Sequence, residues 1–134
     1  MSGSKRVLFV CVENAGRSQM AEAFAKKLGA QAMSAGTMPA SRVNPVVAQA
    51  MLEVGIDISS NTPKRMTNEM VEWADIVVTM GCSVEEVCPA PLLAKMSKKL
   101  VEWDIDDPKG KPLEEVRRIR DQVEEKVKEL LNTQ

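Results

Sequence analysis

Cys11 opens the run Cys-Val-Glu-Asn-Ala-Gly-Arg-Ser directly after the apolar segment Val7-Leu8-Phe9-Val10, and Arg17 stands six positions beyond it. A thiolate at the end of a buried strand, a short loop turning its backbone N–H groups inward and a guanidinium closing the ring make a cradle for a tetrahedral anion. The loop consists of Val12, Glu13, Asn14, Ala15 and Gly16. Asn14 suits bracing it, and the Ser18 hydroxyl can hydrogen-bond a thiolate. Glu13 puts a negative charge inside an anion loop, which predicts a weakened anion or a side chain turned outward. The chain has no histidine, so no Cys-His pair can activate the thiol. Its charged form has to be stabilised by the helix N-terminus, the loop amides and Arg17. A lone cysteine after a strand is ordinarily a small core residue, but four compatible roles between one strand and one helix argue for a nucleophile.

Two other stretches carry reactive groups. Cys82 and Cys88 stand six positions apart between Gly81 and Pro89. On a continuous helix their Cα atoms would be about 9 Å apart, beyond the roughly 7 Å a disulfide tolerates. Pairing these thiols would therefore require the segment to unwind, and the alternative is that both fill a core. Zinc is disfavoured, because three cysteines without histidine do not complete four ligands. The acidic loop Asp104-Ile105-Asp106-Asp107-Pro108 offers a carboxyl that could protonate a leaving oxygen and later activate water. Asp107 is the preferred candidate, because Pro108 stiffens the chain beside it. Solvated turn aspartates are the competing reading.

Short apolar runs alternate with helical patterns, as in strand-helix units around a parallel sheet. Strands are predicted at Arg6–Val10, Ala32–Ala35 (broken by Gly36), Asp75–Met80 and Leu100–Trp103. A helix over Ser18–Leu28 would bury Met20, Ala21, Phe24 and Leu28 and end at Gly29. Asn44 reads as an N-cap with Pro45 in the first turn, followed by the stripe Val46, Val47, Ala50, Met51 and Val54 up to Gly55. Thr67 is a second cap, ahead of Met70, Val71 and Trp73. The last helix starts near Pro112 and carries Leu113, Val116, Ile119, Val123, Val127, Leu130 and Leu131 on one face. In a doubly wound sheet, sites gather outside the carboxyl ends of the strands. That edge would collect Cys11, Cys82 and Asp107.

The 134 residues suit a single α/β domain with a core of its own. With 44% hydrophobic and 28% charged residues and a formal net charge of -1, nothing favours nucleic acid or a membrane surface as partner. There is no apolar stretch of membrane-spanning length, and three cysteines suit a reducing compartment better than a disulfide framework. The expectation is a cytoplasmic monomer.

Together these residues resemble the low-molecular-weight protein tyrosine phosphatase superfamily and, within it, the arsenate reductases that use three cysteines and a thioredoxin-type reductant. The similarity runs through Cys11-x5-Arg17-Ser18 with Gln19-Met20-Ala21-Glu22, then Ser34-Ala35-Gly36-Thr37, Val43-Asn44-Pro45, Gly55-Ile56-Asp57-Ile58-Ser59 and Pro63-Lys64. It continues through Thr79-Met80-Gly81-Cys82 and Trp103 with Asp107-Pro108. The resemblance implies a flavodoxin-like fold with a four-stranded parallel sheet flanked by helices. It implies attack of Cys11 on arsenate held by the loop and Arg17, with Asp107 protonating the departing oxygen. Cys82 and then Cys88 would act as resolving thiols.

The superfamily's phosphatases imply an alternative, a phosphomonoesterase using Cys11, Arg17 and Asp107. A non-catalytic oxyanion or arsenite sensor is a third reading. Lys109-Gly110 follow the Asp-Pro pair where such phosphatases carry aromatic residues, and the chain has no tyrosine, which argues against a phenyl ester. Some relatives bind potassium through residues matching Asn14 and Glu22, so a potassium ion there is the one cofactor the resemblance suggests.

Overall fold

A computed structural model describes residues 6–80 and 100–132. Its elements are β1 (Arg6–Cys11), α1 (Arg17–Lys27), β2 (Gln31–Gly36), α2 (Pro45–Leu52), α3 (Asn68–Trp73), β3 (Ile76–Met80), β4 (Leu100–Trp103) and a long helix, α4 (Leu113–Asn132). Cys82 and Cys88 lie outside the described residues.

The strands form one parallel sheet in the order β2-β1-β3-β4. From β1 the chain passes first to one side and later to the other, so the order reverses between β1 and β3. In open α/β sheets such a switch point is where ligands bind, beyond the carboxyl ends of the strands. Cys11 is the last residue of β1 and therefore sits at that point.

β1 reads as an uninterrupted apolar run because both of its faces are covered. Val7 and Phe9 pack into a core with Met20 and Phe24 of α1, Val47 and Met51 of α2, and Val116 and Val123 of α4. Leu8 and Val10 face the other way, toward Val71 of α3 and Val77 of β3. Burying a side chain of this size contributes about 1.5–3 kcal/mol. Phe9 also meets Trp103 of β4, with ring centroids 5.8 Å apart.

Both predicted caps form. Asn44 Oδ1 accepts from Val46 N at 2.9 Å, and Thr67 Oγ1 from Met70 N at 3.2 Å. Other expectations are corrected. Leu28 is 50% exposed, because α1 stops at Lys27 and the chain turns away through Gly29 at φ 92°. α2 ends at Leu52, so Val54 packs on the core from the turn that follows. Gly36 does not break β2. It ends the strand, pairs with Cys11 and bridges to Arg65. A Cβ there would lie 2.5 Å from Val12 O and 2.9 Å from Asn14 N, so glycine is required by the loop backbone crossing beside it.

Candidate active site

The chain leaves β1 at Cys11 and re-enters helix at Arg17. The loop between them is shaped by Asn14, the one non-glycine residue with positive φ (53°) among those described, a conformation asparagine tolerates better than most. Its neighbours hold it there. Lys64 N donates to Asn14 Oδ1 at 2.8 Å, and Gln19 Nε2 reaches Asn14 O and Oδ1 at 3.2 Å each. Gln19 is itself held by Asn61 Nδ2, which donates to its Oε1 at 3.2 Å.

Because Oδ1 faces a backbone N–H, the Asn14 amide can have only one orientation, and its Nδ2 donates to Ser18 Oγ at 2.7 Å. Ser18 Oγ lies 2.9 Å from Cys11 Sγ. With Asn14 supplying one of its hydrogen bonds, the serine can point its own hydrogen at the sulfur. Asn14 N adds a second donor to Sγ at 3.2 Å. The Cys11 sulfur thus has two hydrogen-bonding neighbours, in a residue that is 3% exposed. The helix contributes as well: Gly16, the N-cap residue before α1, provides no side-chain cap, so the first-turn N–H groups stay available to an anion.

Arg17 is 7% exposed. Its Nη1 donates to Ile105 O at 2.9 Å, fixing the guanidinium between the loop and the β4–α4 connection, and its Nη2 lies 3.8 Å from Asp107 Oδ2. Asp104, Asp106 and Asp107 are all exposed, but of the three only Asp107 lines the cleft. Its Oδ1 accepts from Lys109 N at 3.0 Å, which braces the turn at Pro108.

Cys11, Val12, Glu13, Ala15, Gly16, Arg17 and Asp107 thus line one cleft of about 310 Å³. Asn14 and Ser18 stand behind it, fully buried. The structure does not describe where Cys82 and Cys88 lie. Ala40, Ser41 and Arg42 also line the cleft and escaped the reading from sequence, as did the place of Lys109 in the lining. So did the Lys64 contact, which uses a main-chain N–H and leaves no side-chain signature.

Asn14 and Glu22 do not offer an open oxygen set for potassium. Asn14 Oδ1 already accepts two protein donors. Glu22, 7% exposed, accepts from Ser34 Oγ and sits between Lys26 Nζ at 2.6 Å and Lys64 Nζ at 3.9 Å. Two ammonium groups beside one carboxylate leave this corner cationic before any ion arrives.

Residues 6–134 match the family described as Low molecular weight phosphotyrosine protein phosphatase. A protein named Glutaredoxin arsenate reductase, from Synechocystis sp., is 40% identical over 130 residues, 95% of this chain and 96% of that one. Among solved structures, "An arsenate reductase in the phosphate binding state" is 39% identical, with a TM-score of 0.83 over 96% of this chain and 98% of that one. The YwlE arginine phosphatase from Geobacillus stearothermophilus is 26% identical, with a TM-score of 0.84 over 96% and 92%. Among the described residues no helix is long and apolar enough to cross a membrane.

Proposed function

The chain belongs to the low molecular weight phosphotyrosine protein phosphatase family, and from that premise we propose that it reduces arsenate to arsenite through Cys11, Cys82 and Cys88. The observation that carries this reading is the Cys11 sulfur, buried at the end of β1 under two hydrogen bonds and sharing a cleft with Arg17. The two further thiols in the chain and the arsenate reductases it resembles favour reduction over hydrolysis.

The anion sits against the loop N–H groups and the free N–H groups of Arg17. Cys11 Sγ attacks arsenic, and Asp107 gives a proton to the oxygen that departs as water. Cys82 thiolate then attacks Cys11 Sγ. The S–As bonding pair goes to arsenic, arsenite leaves, and a Cys11–Cys82 disulfide remains. Arsenic has gained two electrons and two thiols have lost them. Cys88 attacks Cys82 next, returning Cys11 as thiolate and leaving a Cys82–Cys88 disulfide for a dithiol reductant of the thioredoxin type. The relative named for glutaredoxin makes that protein the second reductant to try.

A phosphate ester in the same place gives the second reading, which the likeness to an arginine phosphatase and the position of Asp107 favour. Phosphorus keeps its oxidation state, so Cys11 would form a thiophosphate that water hydrolyses with Asp107 as base. The test is arsenate-dependent NADPH oxidation with thioredoxin and its reductase, and separately with glutaredoxin, glutathione and glutathione reductase. Cys82→Ser should abolish both. Turnover of p-nitrophenyl phosphate that far outpaces arsenate reduction and ignores Cys82→Ser would favour the esterase instead.

A further inference from the structure

Glu13 and Lys109 both line the cleft, yet neither has a part in the chemistry above. They are 96 positions apart in sequence, one following Cys11 by two residues and the other following Asp107 by two, and Lys109 Nζ lies 3.2 Å from Glu13 Oε2. Each end of this ion pair is tied down. Glu13 O accepts from Ala40 N at 3.0 Å, and Lys109 N donates to Asp107 at 3.0 Å. The sulfur occupies the floor at 3% exposure. In a displacement the departing atom lies opposite the attacking one, so whatever that atom carries must leave past the two loops the ion pair joins. Among the described residues the cleft has no aromatic wall for an organic group to rest on.

We propose that the Glu13–Lys109 ion pair is a strap across the mouth of the cleft, selecting free tetrahedral anions over their bulky esters. It deepens the oxyanion reading of the site and needs no redox step. Glu13, whose charge looks misplaced in an anion loop, then has its role in the pair with Lys109 above the anion rather than beside it.

The strap is tested by measuring, calorimetrically, the dissociation constants of inorganic phosphate and phenylphosphonate for reduced wild-type protein, E13Q, K109M and the swapped pair E13K/K109E. Exposed ion pairs are weak, so each single variant should improve phenylphosphonate relative to phosphate by about two- to five-fold, and the swap should restore the wild-type ratio. Charge alone acts differently. Removing Glu13 would tighten both ligands and removing Lys109 would loosen both, leaving the ratio unmoved, and that result overturns the strap. Phenylphosphonate that fails to bind every variant while phosphate binds also overturns it. Arsenate turnover plays no part here, so a shifted ratio stands even if reduction is never seen. Wild-type protein that binds no phosphate would remove the strap and the oxyanion reading together.

Discussion

Gly36→Ala should unseat the anion loop while the sheet stays folded. The new Cβ would stand 2.5 Å from Val12 O, 2.9 Å from Asn14 N and 3.0 Å from Glu13 C, all backbone atoms, so no side chain can swing aside. The strand cannot yield easily. Gly36 pairs with Cys11, its N–H donates to Lys64 O at 2.8 Å, and its carbonyl accepts from Met66 N at 2.9 Å. The loop therefore has to retreat by about 1 Å to reach ordinary contact. That displaces the Asn14 N–H that points at Cys11 Sγ. Overpacking of this kind costs about 1–3 kcal/mol of stability, and a misplacement of about 1 Å costs on the order of 100-fold in turnover. Gly55→Ala is the control. Gly55 has φ +84° and nothing within 4 Å of its Cβ position, so alanine there should lower the melting temperature through backbone strain of about 1–2 kcal/mol with phosphate affinity intact. Calorimetric phosphate binding and arsenate turnover decide between them. Gly36→Ala binding phosphate as wild type does would refute the close-approach argument.

Gly16→Ala meets Pro108 Cγ at 2.8 Å, so Pro108 and the neighbouring Asp107 have to give way, and turnover should fall while phosphate affinity holds within about three-fold. Ser18→Ala removes a donor from the Cys11 sulfur, and since hydrogen bonds to charged groups are worth about 1.5–3 kcal/mol, site-resolved iodoacetamide alkylation of Cys11 at neutral pH should slow by about ten-fold. Hydrogen bonds from Arg117 foremost, helped by Arg120, hold the Glu53 carboxyl below its usual range. The stability this gives is present above the unfolded-state value and is lost as pH falls through the lower folded value, so Glu53→Gln should flatten the acid limb of a melting-temperature profile. Melting temperatures in potassium and sodium chloride of equal strength should coincide, because Lys26 and Lys64 already flank Glu22; a potassium-specific rise would show a cation site there.

The parts of this fold that could be read from sequence are those whose signal is local. The buried strand shows as a run of four apolar residues ending at Cys11, and the long last helix as a stripe with charges opposite. The cysteine, arginine and serine of the loop fall within eight consecutive positions. Residues that act by long-range approach were harder to see. Gly36 looked like a strand breaker because nothing nearby in sequence shows that a loop 20-odd residues earlier crosses it. Leu28 obeyed the helical period, but a residue at the C-cap no longer points where the period predicts. Lys64 and Glu13 serve the site through a main-chain N–H and an ion pair to a distant loop, and neither leaves a pattern in spacing.

The claim that matters most is that an anion bound in this cradle takes two electrons from the protein's own thiols. Fully reduced protein should be given one equivalent of arsenate with no external reductant, and both arsenite and protein thiols counted by mass spectrometry. The account predicts one arsenite released per chain, two thiols lost, and a disulfide linking Cys82 to Cys88 with Cys11 free. Three unmodified thiols and no arsenite would contradict it.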